Sequence, residues 1–156
     1  MAGNDNAIIS QVGALAVAVD AQDWPRLLAL FEAQVRVDYT SLFGGEAQTL
    51  TREDLIGGWR QLLPGFNRTC HVIGAPSVKT EAGRAQVSAS VTAWHAIGDQ
   101  AVEGGGVWTV HGCYEIDLAE RGGTWRIAAL TLARAWAEGN PDLPRVARER
   151  VGPGQT

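Results

Sequence analysis

The stretch that most constrains this chain is residues 84–97. Ala85, Val87, Ala89, Val91 and Ala93 fall on one face of an extended backbone, and Gln86, Ser88, Ser90 and Thr92 fall on the other. A period of two sustained over that length predicts a long, half-buried strand. Such a strand needs antiparallel neighbours and an apolar cover for one face. The neighbours are present in the sequence. Residues 107–118 and 124–136 read as two more long strands joined at Gly122-Gly123, a hairpin turn. Residues 69–78 read as a strand that precedes them, with Gly74 and Pro76 marking a bulge or bend. Residues 102–106 form a flexible connection. No Gly-Lys-Ser/Thr follows them, so this is not a phosphate loop.

The cover comes from the first half, which reads as helical. Ile8, Val12, Leu15 and Val19 recur at spacings of three and four within residues 7–19. Asp23 is a good N-cap for a second helix, with Pro25 in its first turn and Leu27, Leu28, Leu30 and Phe31 behind it. Residues 35–39 alternate and predict a short strand, and Gly44-Gly45 marks a loop. Thr51-Arg-Glu-Asp54 resembles a capping box that opens a third helix carrying Leu55, Trp59, Leu62 and Leu63, closed by Pro64-Gly65. Three helices followed by long antiparallel strands predict an α+β domain, residues 1–140, in which the helices pack into a curved, mainly antiparallel sheet. Residues 141–156 form a tail with one short helix near residues 145–150. A sheet wrapped around helices makes a cone with an apolar pocket, the default ligand site.

Composition narrows the chemistry. The net charge of -4 and pI near 5.3 give no basic footprint for nucleic acid or anionic lipid. The apolar stretch at residues 7–19 is too short to span a bilayer, no basic residue precedes it, and a cytoplasmic location is the expectation. Cys70 and Cys113 are too far apart in sequence for a metal or disulfide framework and read as small buried apolar residues. The single lysine, Lys79, lies near a polar turn and is a poor Schiff-base candidate. Chemistry must then rest on histidine, carboxylate and tyrosine, with neither metal nor cofactor expected.

Several strings, taken in order, resemble one family. They are Asp20-Ala-Gln-Asp-Trp24, Arg36-Val-Asp-Tyr-Thr-Ser41, Thr69-Cys-His-Val-Ile-Gly74, the strand around His111, and Gly123-Thr-Trp-Arg-Ile127 followed by Trp136. Together they are similar to the nuclear-transport-factor-2-like fold and its SnoaL-like group, above all to dehydratases of the scytalone dehydratase type. The resemblance spans residues 7–140. It implies a cone-shaped α+β barrel and four catalytic positions: Asp20 paired with His71, Tyr39 polarising a substrate carbonyl, and His111 touching the substrate. It also implies a homo-oligomer, a trimer before a dimer, with Trp94 and Trp108 near the contact. The chain departs from the pattern in two places. Val19 stands where a tyrosine is expected, and the polar pair of the last strand falls on Thr131 and Ala133.

The residues carry a chemistry of their own. A carboxylate that accepts from one imidazole nitrogen fixes the tautomer and makes the other nitrogen a base. In a dry pocket that base can take a proton from carbon beside a carbonyl, then return it to a departing hydroxyl. The expected activity is a cofactor-independent lyase acting on a small cyclic substrate. An isomerase or cyclase of the same fold, or a binding module, are the alternatives. Trp59, Trp108 and Phe43 are expected as walls for a flat substrate, with Thr131 as a polar contact. His95, close to a turn, is expected at the surface or an interface. Asp38, on the strand face opposite Tyr39, is expected to pair with an arginine.

Overall fold

The computed structural model describes residues 2–152. Five helices are ordered around a seven-stranded sheet: α1 (Ala2–Asp20), α2 (Trp24–Leu30), β1 (Phe31–Asp38), α3 (Thr40–Phe43), β2 (Gln48–Thr51), α4 (Arg52–Arg60), β3 (Arg68–Ile73), β4 (Ser77–Glu81), β5 (Arg84–Ala96), β6 (Val107–Arg121), β7 (Thr124–Gly139) and α5 (Leu143–Val151). The sheet runs β2-β1-β7-β6-β5-β3, and β4 shares the outer edge of β5 with β3. All pairings are antiparallel except β1 with β7. The sheet is curved and unclosed, the cone architecture anticipated from the sequence.

Local chemistry sets most boundaries. Asp23 caps α2 by accepting from the Arg26 N–H at 3.1 Å. Thr51 caps α4 by accepting from the Asp54 N–H at 3.0 Å. Gly122 and Gly123 hold φ of +58° and +80°, the two left-handed residues that a tight hairpin between long twisted strands requires. Strand β7 carries an extra residue twice, at Ala128 and at Ala135, where its register against β6 shifts. Bulges of this kind bend a strand and help curl the sheet.

Alternation decides what lies inside. Ala85, Val87, Val91 and Ala93 of β5, Val110, Ile116 and Leu118 of β6, and Ile127, Leu130 and Leu132 of β7 are buried against Ile8, Val12, Leu15 and Ala18 of α1. The C-terminal helix joins this core through Leu143 and Ala147. Its Arg150 reaches back to the Gly65 carbonyl at 2.7 Å and forks onto Asp99 at 2.9 and 2.8 Å.

Several expectations are corrected. The strand foreseen at residues 69–78 is two strands, because the chain leaves the sheet edge at Gly74–Pro76. Phe31 opens β1 and does not end α2, so β1 begins four residues earlier than its alternation suggests. Tyr39 follows that strand and heads the short α3, whose four residues carry no period long enough to reveal it. Strand β2 is additional. Asp38 caps this turn, accepting from the Thr40 N–H and hydroxyl at 3.1 and 2.7 Å, in place of an arginine pair. Cys70 is exposed and Cys113 half-buried, because both point to the outer face. Trp108 points inward and is 6% exposed, so it is not available to an outer subunit contact.

Candidate active site

The last residue of α1 and the edge strand β3 meet at one point. The Asp20 Oδ1 lies 2.7 Å from the His71 Nδ1, its Oδ2 accepts the His71 backbone N–H at 2.8 Å, and the Thr69 hydroxyl donates to Oδ1 at 2.8 Å. Thr69 and His71 share a strand parity, so both reach the same carboxylate. Burial alone would raise the Asp20 carboxyl. The hydrogen bonds from the His71 ring, the His71 backbone and Thr69, with the nearby imidazole, hold it below its ordinary value. An ionised Asp20 accepts from Nδ1–H, which leaves Nε2 as the unprotonated nitrogen of His71. Thr69 is a supporting residue that sequence reading left unassigned.

His71 borders a cavity of about 720 Å³, its open mouth included, between α1, α3, α4 and the concave side of the sheet. Tyr39, Trp59, Trp108 and Phe43 line it. Phe43 sits at the rim, 52% exposed, with its ring 6.4 Å from that of Trp108. Leu15, Val19, Ile73, Val110, Leu130 and Leu132 make much of the remaining wall apolar.

Two further polar side chains face this space. His95 is 6% exposed and is packed 4.8 Å from Phe66, 4.9 Å from Trp108 and, edge to face, 5.3 Å from His71. Its Nδ1 lies 3.3 Å from the Trp108 carbonyl oxygen. Burial, reinforced by the neighbouring His71, pushes its pKa down to about 4, so the ring is neutral at pH 7. With Nδ1–H donated to the carbonyl, Nε2 is an acceptor. The expected surface position for His95 is therefore corrected: it continues the inward row that runs through Ala89, Val91 and Ala93. Tyr114 is the second. It is 8% exposed and is pushed up to about 12 by burial and then by the charge of Asp20. The Tyr39 phenol is raised well above its ordinary value by burial and by the proximity of Tyr114. Both phenols are thus neutral donors at any physiological pH. Tyr114 shares its face with Trp108 and Val110, the signal that would have found it.

The structure does not bring His111 or Thr131 to the cavity. His111 lies between the inward Val110 and the bulge at Gly112, and its ring is on the outer face, stacked 4.5 Å from Trp136. Its Nδ1 is 3.2 Å from the Thr92 hydroxyl and its Nε2 is 4.0 Å from Glu138. Thr131 alternates with the buried Leu130 and Leu132 and faces outward with Glu115. Among the described residues no group of three His, Cys, Asp or Glu side chains could hold a metal ion, and no helix is long and apolar enough to cross a membrane.

Comparison with known proteins identifies the family and the fold. The family model for the SnoaL-like domain matches residues 4–131. Among solved structures, the Kfla4162 protein of Kribbella flavida superposes with a TM-score of 0.86 at 25% identity, over 93% of this chain and 99% of that one. A scytalone dehydratase-like protein of Novosphingobium aromaticivorans gives 0.72 at 18% identity, over 88% and 87%. The hexachlorocyclohexane dehydrochlorinase LinA-type3 of Novosphingobium barchaimii gives 0.70 at 15% identity, over 88% and 90%. The search of curated proteins finds no match.

Proposed function

The chain belongs to the SnoaL-like family, within the nuclear-transport-factor-2-like fold, and from that premise we propose that it is a cofactor-independent lyase, a dehydratase acting on a small cyclic β-hydroxy carbonyl compound. The observation that carries this reading is the 2.7 Å contact between Asp20 and His71 at the wall of an apolar cavity. In this reading Nε2 of His71 removes the proton next to the substrate carbonyl. The imidazolium that forms lies against the Asp20 carboxylate, which stabilises it. Tyr39 and Tyr114 donate hydrogen bonds to the oxygen on which negative charge develops. The proton held by His71 then goes to the hydroxyl on the adjacent carbon, which departs as water. Base and acid are the same group, so the imidazole ends the cycle in its starting form. His95, neutral and accepting, is suited to orienting a substrate hydroxyl.

Each part has a usual magnitude. A placed general base contributes about 10²- to 10⁴-fold, and a donor to a developing oxyanion about 10²- to 10³-fold. The dry walls strengthen both, because charges interact more strongly where water is excluded.

The test is a panel of cyclic β-hydroxy ketones incubated with the protein and followed by mass spectrometry. Loss of one water from a panel member, abolished in His71→Ala with the circular dichroism spectrum intact, is the expected result. A product of unchanged mass would assign isomerisation in place of elimination. Full turnover in His71→Ala would remove the dyad from the mechanism.

A further inference from the structure

The cavity that holds the dyad is lined by many aromatic and aliphatic groups and by no lysine, arginine, aspartate or glutamate among the described residues. Its ionisable members are His71, His95, Tyr39 and Tyr114. The Asp20 carboxylate stands behind His71, and its charge is felt at Tyr114. The guanidinium groups of Arg148 and Arg134 border other hollows. Arg148 lines an adjoining depression that shares Tyr39, Phe43, Trp59 and Leu62 with the cavity, where it is outnumbered by the carboxylates of Glu46 and Asp54, and Arg134 lies beside Trp136 and Glu138 on β7.

We propose that this cavity selects its ligands by charge: it accepts a flat, uncharged ring compound carrying a carbonyl or amide, and it rejects the carboxylate of the same shape. The inference rests on reading the cavity as the substrate site and adds the class of substrate it takes.

Desolvation sets this preference. A carboxylate entering this space would leave water, find no cation, and sit near a fixed negative charge. An unpaired buried charge is among the costliest arrangements a protein can adopt. A neutral carbonyl loses little and finds two phenol donors. The chemistry keeps the same rule. When His71 takes a proton from the bound substrate, one proton moves from carbon to nitrogen and the sum of charges in the cavity does not change. The enolate exists only opposite the imidazolium formed with it. An anion that arrives already charged brings no such partner.

The pair that tests this is 2-naphthamide and 2-naphthoate, which match in heavy-atom count and shape and differ in charge. Their affinities for the full chain are measured by titration calorimetry at pH 8, where the acid is ionised. Naphthamide is expected to bind, and naphthoate to bind at least ~100-fold more weakly. Asp20→Asn, which removes the buried negative charge, is expected to narrow the gap several-fold by admitting naphthoate. His71→Ala is expected to leave the gap standing. Equal or tighter binding of naphthoate by the unaltered chain overturns the proposal, as does the absence of naphthamide binding up to its solubility limit. The dyad reading fails separately. Full turnover in His71→Ala with the charge gap preserved would remove the catalytic role and keep the selectivity. A lost gap with turnover abolished in His71→Ala would do the reverse.

Discussion

Two rows of residues cross the same strands one position apart, and they have opposite fates. The inner row pairs His71 with Ala93, Ala93 with Val110 and Val110 with Ala137. The outer row pairs Val72 with Thr92, Thr92 with His111 and His111 with Trp136. Each row holds a histidine with a polar neighbour. His71 meets a carboxylate that accepts three hydrogen bonds and faces a dry cavity. His111 meets a hydroxyl, an exposed tryptophan ring and a solvated glutamate, 68% exposed, at 4.0 Å. Imidazole is equally capable in both places. What separates them is strand parity, which chooses the face, and the end of α1, which delivers a carboxylate to one face alone.

The largest expected effects lie in the inner row. His71→Ala should lower turnover by about 10²- to 10⁴-fold. Asp20→Asn should approach that loss, because an amide can present its NH2 to Nδ1 and favour the wrong tautomer, as in the Asp-to-Asn change of the serine-protease triad. Steady-state kinetics on whichever β-hydroxy ketone is turned over measures both. A loss below tenfold in either would show that the pair does not divide the two faces as argued. Next come the phenols. Tyr39→Phe and Tyr114→Phe should each cost about 10²-fold in kcat. The double variant should cost less than the product of the two, because donors that share one oxygen are not additive. A strictly multiplicative double variant would mean that the two phenols act on different atoms.

The sequence made some of this legible and hid the rest for physical reasons. Long alternation in β5, β6 and β7 and the capping residues Asp23 and Thr51 were readable because each is local. The same alternation also places two inward polar residues. Ala89, Val91 and Ala93 continue to His95, and Trp108 and Val110 lead past one bulge-flanked glycine to Tyr114, so both inner residues shared a parity with known core positions. His111 had the other parity. The family resemblance points to His111, but its parity is that of the outward-facing residues. Short elements were harder to see. Four residues of β2 or α3 contain too little period to separate from a loop. The Thr69 hydroxyl bond to Asp20 joins residues 49 apart, and no local pattern announces such a contact.

Folding stability depends on pH through the inward-facing His95. His95 titrates near its ordinary value of 6.5 when unfolded and at about 4 when folded. Between those values the unfolded chain binds the extra proton, so folding stability is full above pH 6.5 and falls as pH drops toward 4. At about 1.4 kcal/mol per pKa unit the loss over that window is roughly 3 kcal/mol. Asp20, held below its ordinary value, titrates beneath the window. Urea denaturation of the unaltered chain at pH 7 and pH 4.5 should show the fall, and His95→Phe should flatten it. An unchanged slope in His95→Phe would place the ring in contact with water.

The smallest expected effect lies in the outer row. His111→Ala removes an imidazole with a hydrogen-bond partner and a stacked aromatic neighbour, yet it touches nothing that lines the cavity. Its predicted cost in kcat is under about twofold, since a surface substitution away from a site leaves the barrier alone. Its predicted cost in stability is under about 1 kcal/mol, the scale of one aromatic stack and one exposed hydrogen bond. A tenfold fall in kcat with unchanged unfolding would mean that the outer face communicates with the substrate. The opposite assignment of the two histidines, argued from one residue of register, would then be wrong.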